Sequence, residues 1–107
     1  MPVKKLNASN YDETIAATKG VAMVKFYAPW CGHCRMFAPI VEDAAESFAD
    51  EASFFELNVE DDKPVAKKFE LESVPTVIWY VDGQQKEIAI GVLTVDQIKA
   101  KIDSFKA

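Results

Sequence analysis

Reactive and metal-ligating side chains are scarce in this chain: cysteine occurs twice and histidine once. A structural zinc centre needs about four ligands, and Cys31, Cys34 and His33 leave no second pair, so ligand count argues against a metal. Glycine occurs four times and forms no Gly-rich turn of the kind that cradles a phosphate, so no cofactor is expected. Lysine and arginine gather only as Lys4-Lys5 and Lys67-Lys68, and the formal net charge is −5. Nucleic-acid binding rests on concentrated positive charge, which excludes that partner. No apolar run approaches the ~20 residues of a membrane span. The segment Met1-Pro2-Val3-Lys4-Lys5-Leu6-Asn7 lacks the apolar core of about 7–15 residues that a secretory leader carries. Low-complexity tracts, repeats and linkers are absent. These absences lead to the expectation of a soluble protein of a reducing cytoplasm.

Half of the 107 residues are hydrophobic, enough to bury a core as a single domain spanning residues 1–107 without disulfide staples. A Cys-x-x-Cys bond would close too short a ring to remove much entropy from the unfolded chain. The two cysteines are therefore available for chemistry. They stand with the histidine and one of two tryptophans in five consecutive residues, Trp30-Cys31-Gly32-His33-Cys34.

The chain around this segment reads as alternating strands and helices. Val3 to Leu6 suits a short strand, and Asn7 or Ser9 can cap a helix running to about Lys19, ended by Gly20. Val21 to Ala28 is a near-continuous apolar run, as in a central strand covered on both faces. From Gly32, Phe37, Ile40, Val41, Ala44, Ala45 and Phe48 recur at helical spacing, predicting a helix to about Ala49. Pro39 falls inside it at a cost of roughly 3 kcal/mol; had Pro39 instead started the helix, the motif would lie on a loop. Phe54 to Val59 reads as a strand, and Asp61-Asp62 as caps of a short helix through Phe69 with Pro64 in its first turn. Thr76 to Val81 and Glu87 to Val92 form the arms of a hairpin turning at Asp82-Gly83. Thr94 and Gln97 make a capping box for a last helix burying Val95, Ile98, Ile102 and Phe105. The order β-α-β-α-β-α-β-β-α predicts an α/β fold, parallel in its early strands and antiparallel at its end.

A cysteine in the first turn of a helix is activated, because unpaired N–H groups and the positive dipole end favour thiolate. Cys31 at the helix start is thus the exposed nucleophile, and Cys34, a turn further in, is the resolving thiol with the higher pKa. Gly32 permits a tight turn and close approach of another chain. His33 adds partial positive charge beside the thiolate and raises the potential; alone it would read as a surface histidine, but its place between two cysteines argues otherwise. The apolar run ends before Pro29, which favours a partly exposed Trp30 over a core one.

The segment Phe26-Tyr27-Ala28-Pro29-Trp30-Cys31-Gly32-His33-Cys34 resembles the active site of the thioredoxin superfamily. Pro39, Val74-Pro75-Thr76, Asp82-Gly83 and Gly91 stand at thioredoxin-like spacing, so the resemblance covers essentially the whole chain. In length it is similar to bacterial thioredoxins, whereas Pro29 to Cys34 follows the protein disulfide isomerase version, with His33 in place of proline. The resemblance implies the thioredoxin fold, a central mixed sheet flanked by helices, with a cis Pro75 facing the cysteines. It also implies that the Val74 backbone pairs with an extended substrate and that Trp30, Gly32, Pro75, Gly91 and Val92 form the docking surface. Gly91 could otherwise be a strand bulge.

Two departures stand out. Where the superfamily has a buried acid before the motif this chain has Lys25, and where thioredoxins have a nearby lysine it has Glu56. Each is a lone charge in an apolar run, and a buried lone charge is costly unless paired. The two either pair beneath Cys34, leaving Glu56, a neutral Lys25 or a water as proton acceptor, or sit at strand ends and snorkel. The second departure is Ser73 before Val74, where thioredoxins usually have glycine.

The function expected is reduction of protein disulfides by a monomer that a thioredoxin reductase-type electron donor recharges, since the chain holds no electron carrier of its own. Oxidase or isomerase activity, favoured by His33, is the alternative. A binding module with incidental cysteines is the third reading.

Overall fold

The strand Val21–Tyr27 (β2) is the axis of the fold: it pairs in parallel with Ala52–Asn58 (β3) on one side and antiparallel with Thr76–Val81 (β4) on the other. The computed structural model describes residues 3–107; Met1 and Pro2, which begin the stretch read for a leader, lie outside the described residues. Val3–Lys5 (β1) adds to β3 in parallel and Gln84–Ile90 (β5) to β4 antiparallel. The sheet order is therefore β1-β3-β2-β4-β5. Among the described residues, Tyr11–Ala17 (α1), Gly32–Ser47 (α2) and Lys63–Lys68 (α3) connect strands, and Val95–Lys106 (α4) follows β5.

Period-two alternation divides each central strand between two cores. Val21, Met23, Phe54, Val77 and Trp79 face Phe37, Val41, Ile98 and Ile102 of α2 and α4. Ala22, Val24, Phe26, Phe55, Ile78 and Tyr80 face Tyr11, Ile15 and Val65 of α1 and α3. With both faces covered, β2 has no solvated side on which polar residues could alternate.

Local chemistry places the boundaries. The expected helix to Lys19 is shorter, with Asn10 as its N-cap. The Asn7 side chain accepts N–H bonds from Ser9 and Asn10 at 2.9 and 3.0 Å, building a turn that delays the helix. Asp62 flanks α3, but its carboxylate accepts the N–H of Ala8 at 2.9 Å. Pro39 lies within an unbroken α2, so the motif opens the helix instead of sitting on a loop. Asp82 and Gly83 both take positive φ, 51° and 82°, as a two-residue hairpin turn requires. The second arm runs Gln84–Ile90, not Glu87–Val92: a two-residue turn obliges pairing to resume at once, although Gln84, Gln85 and Lys86 are exposed. Thr94 and Gln97 complete the capping box at 3.1 and 2.9 Å.

Candidate functional site

The C-terminal end of β2 delivers the chain to Cys31, the N-cap of α2. Its sulfur accepts the backbone N–H of Cys34 at 3.2 Å, one of the orphan donors of a helix start. Its S–H lies 3.5 Å from the Val74 carbonyl oxygen, to which it donates. Both thiols are free, with Cys31 7% and Cys34 3% exposed. Burial pushes the Cys34 thiol up to about 11, reinforced by its bond to Cys31 and opposed by the Ala28 backbone and by Lys25. Both sulfurs lie in one apolar cluster with Ala28, so the exposed thiol expected at Cys31 is in fact buried; what sets the two apart is that the Cys31 sulfur faces the helix N-terminus.

The Val74–Pro75 bond is cis, and Pro75 is buried. The N–H of Gly91 donates to the Pro75 carbonyl at 2.9 Å, and Gly91 takes φ +102° just beyond β5, so it is not a bulge within the strand. Val92 is half-buried and packs against the α2–α4 core. Gly32 and His33 are exposed in the first turn of α2. Ser73 is exposed, and its carbonyl accepts the Thr76 hydroxyl at 2.7 Å.

Trp30 is 66% exposed. Its indole N–H donates to the carboxylate of Glu60, a residue that nothing in the sequence singles out. Glu60 is held by the Asn58 side chain, which accepts its N–H at 2.9 Å, while Val59 donates to the Tyr27 carbonyl at 2.9 Å. A cleft of about 340 Å³ beside Trp30 is lined by Val59, Leu71, Glu72, Ser73 and Val74.

Lys25 and Glu56 do not snorkel apart. They stand opposite one another in the β2–β3 register, Nζ to Oε1 at 3.4 Å, with side chains 4% and 15% exposed. Alternation with Met23 and Phe54 turns both toward α2, the helix that carries Cys34. Among the described residues no cluster of three or more His, Cys, Asp or Glu side chains could hold a metal ion, and no helix is long and apolar enough to cross a membrane.

The sequence signature of the family described as Thioredoxin matches residues 2–104. The chain is 35% identical over 103 residues to the thioredoxin of Staphylococcus haemolyticus, across 96% of this chain and 97% of that one. It is 32% identical over 103 residues to the chloroplastic M-type thioredoxin of Pisum sativum and 28% over 103 residues to that of Spinacia oleracea, in each case across 96% of this chain. These matches cover 60% and 57% of the two chloroplastic proteins, so the chain spans less than two thirds of their length. The crystal structure of chloroplastic thioredoxin z superposes with a TM-score of 0.92 at 21% identity, over 99% of this chain and 96% of that one, which is a likeness of fold.

The expectation of a cytoplasmic protein is overturned here. The pea and spinach relatives and thioredoxin z are chloroplastic. Targeting information resides in removable segments outside a folded domain, so the leader pattern missing from residues 1–7 carries no compartment. The described sheet and its flanking helices are the thioredoxin fold, and the chain belongs to the thioredoxin family.

Proposed function

We propose that residues 1–107 act as one domain that reduces protein disulfides, with Cys31 attacking and Cys34 resolving. The observation that carries this reading is the placement of the Cys31 sulfur, between the Cys34 N–H at 3.2 Å and the Val74 carbonyl at 3.5 Å. The Cys31 thiolate attacks one substrate sulfur and displaces the other as a thiolate, forming a mixed disulfide. Cys34 then attacks the Cys31 sulfur, releasing the second substrate thiol and leaving the Cys31–Cys34 disulfide. The substrate gains two electrons and two protons. A thioredoxin reductase-type donor returns them to the domain, which makes it a link in electron transport serving redox homeostasis.

The substrate lies as an extended segment against the Val74 backbone and cis Pro75, with Gly32 and Gly91 giving backbone clearance and Trp30 an exposed aromatic platform. Val92 supports this surface from the core side. His33, exposed in the first turn of α2, stands at the rim of this surface. The test is to mix the reduced protein with a substrate carrying one accessible disulfide and to count thiols on both partners. Transfer of both thiol equivalents is expected, and no transfer would sink the proposal.

The His33-containing motif favours oxidation or isomerisation as a second reading. Potentials of roughly −270 mV for thioredoxin and −180 mV for disulfide isomerase differ by about 4 kcal/mol. Equilibration against a glutathione series decides: a value at the isomerase end reverses the net direction.

A further inference from the structure

Cys34 must ionise to resolve the mixed disulfide, yet burial pushes its thiol up to about 11. It lines a cleft of about 260 Å³ together with Lys25, Tyr27, Arg35, Glu42 and Glu56. From β2, Lys25 and Tyr27 face it, with the Lys25 ammonium 5.1 Å from the centre of the Tyr27 ring. From β3 comes Glu56, which pairs with Lys25. On α2, Arg35 donates to the Pro29 carbonyl at 3.0 Å and Glu42 stands on the cleft wall, while the Cys31 thiol borders Cys34 on its other side. Among these charged side chains, Lys25 is the one whose field eases Cys34 toward thiolate; Glu56 acts on Lys25 and on the Tyr27 hydroxyl.

We propose that Lys25, held beside the cleft by its ion pair with Glu56, is a positioning charge that lets Cys34 ionise for the resolving step. This role rests on the reductase reading and assigns the strand beneath α2 a part in turnover. The Cys34 proton leaves to solvent through the cleft. The thiolate attacks the Cys31 sulfur, the Cys31–substrate bond breaks, and the departing substrate thiolate takes up a proton. Glu56 does not accept the proton here. Its carboxylate pairs with the nearly buried Lys25 at 3.4 Å and so fixes where that charge sits.

The test uses the intact protein carrying a thionitrobenzoate mixed disulfide at Cys31, with release of the coloured thiolate followed from pH 6 to 10. Lys25→Met should slow release about tenfold at pH 7–8 and displace the pH profile upward by about one unit, since one unit is a tenfold change in ionisation. Lys25→Arg should restore most of the rate. The double variant Lys25→Met/Glu56→Leu leaves no uncompensated buried charge, so it guards against misfolding, and it should be as slow as Lys25→Met. An unchanged or faster profile in folded Lys25→Met, where a carboxylate acceptor would be freed by loss of the lysine, overturns the proposal, and so does an unchanged or faster profile in the double variant, where neither charge remains. The attack of Cys31 on the reagent in the parent protein is recorded separately. If that attack fails, the reductase reading falls; if it proceeds, only the role of Lys25 is at stake.

Discussion

The backbone N–H of Cys34 points at the Cys31 sulfur from 3.2 Å, so the two cysteines are already joined by a main-chain donor in the dithiol state. A sulfur that accepts a helix N-terminal N–H gains more from that donor as a thiolate than as a thiol. The proposed division of attack and resolution between the two residues rests on this asymmetry.

Cys31→Ser should abolish reduction of a disulfide substrate. Cys34→Ser should retain the first attack and accumulate a covalent protein–substrate adduct. Intact-mass measurement before and after added dithiothreitol detects the adduct, and a Cys34→Ser protein that turns over repeatedly would reverse the assignment.

Reduced protein should lose stability as the pH rises from about 9 to about 11. Cys34 is raised from 9.0 to about 11, so in this window the folded state keeps a proton that the unfolded chain has lost, and the slope of unfolding free energy against pH is negative. The contribution is fully present below pH 9, falls through the window and is at most about 3 kcal/mol at 1.36 kcal/mol per unit. Urea melts of the parent and of Cys34→Ala from pH 8 to 11 isolate it: the variant should lack this part of the slope, and identical slopes would refute it.

Trp30→Ala should raise KM for a protein substrate about tenfold, equivalent to ~1.4 kcal/mol for an exposed aromatic anchor. Its 66% exposure places it outside the core, so stability should change by no more than about 0.5 kcal/mol. Glu60→Gln, which weakens the tie orienting the indole, should have a smaller effect of the same sign. Steady-state kinetics with matched thermal melts test both, and a Trp30→Ala defect confined to kcat would count against docking.

Gly83→Ala should destabilise the fold by about 2 kcal/mol. Its φ of +82° disfavours a side chain, and an added Cβ would lie 3.3 Å from both the Ala16 Cα and the Ile15 carbonyl oxygen. Urea denaturation measures this, and a cost below about 0.5 kcal/mol would mean that α1 yields freely to the hairpin.

Features controlled by neighbours in sequence were the legible ones. The Thr94–Gln97 capping box, the Asp82-Gly83 turn, the apolar β2 and the helical period after Gly32 each rest on contacts within a few residues, and all appear where expected. Asn7 misled because its side chain satisfies donors in a turn as readily as at a helix start. The hairpin's second arm misled because Gln84, Gln85 and Lys86 face solvent and leave no apolar signal. At the site, the cysteines and Trp30 are contiguous and plain to read, and two lone charges in apolar runs pointed to Lys25 and Glu56. The contact of Cys31 with Val74 joins residues 43 positions apart; family resemblance set Pro75 opposite the cysteines but did not foretell this contact. Glu60 was missed because an acidic loop residue looks alike whether it meets an indole or solvent.

The central position of β2 sets the tempo of the molecule as well as its shape. Hydrogen-bonded on both edges and covered on both faces, its amides should exchange with deuterated solvent only when the whole chain opens. The peripheral β5, paired on one edge among the described residues, exchanges through smaller excursions. Because Cys31 follows a few residues after the end of this strand, the reactive sulfur is tethered to the part of the sheet that local opening reaches last.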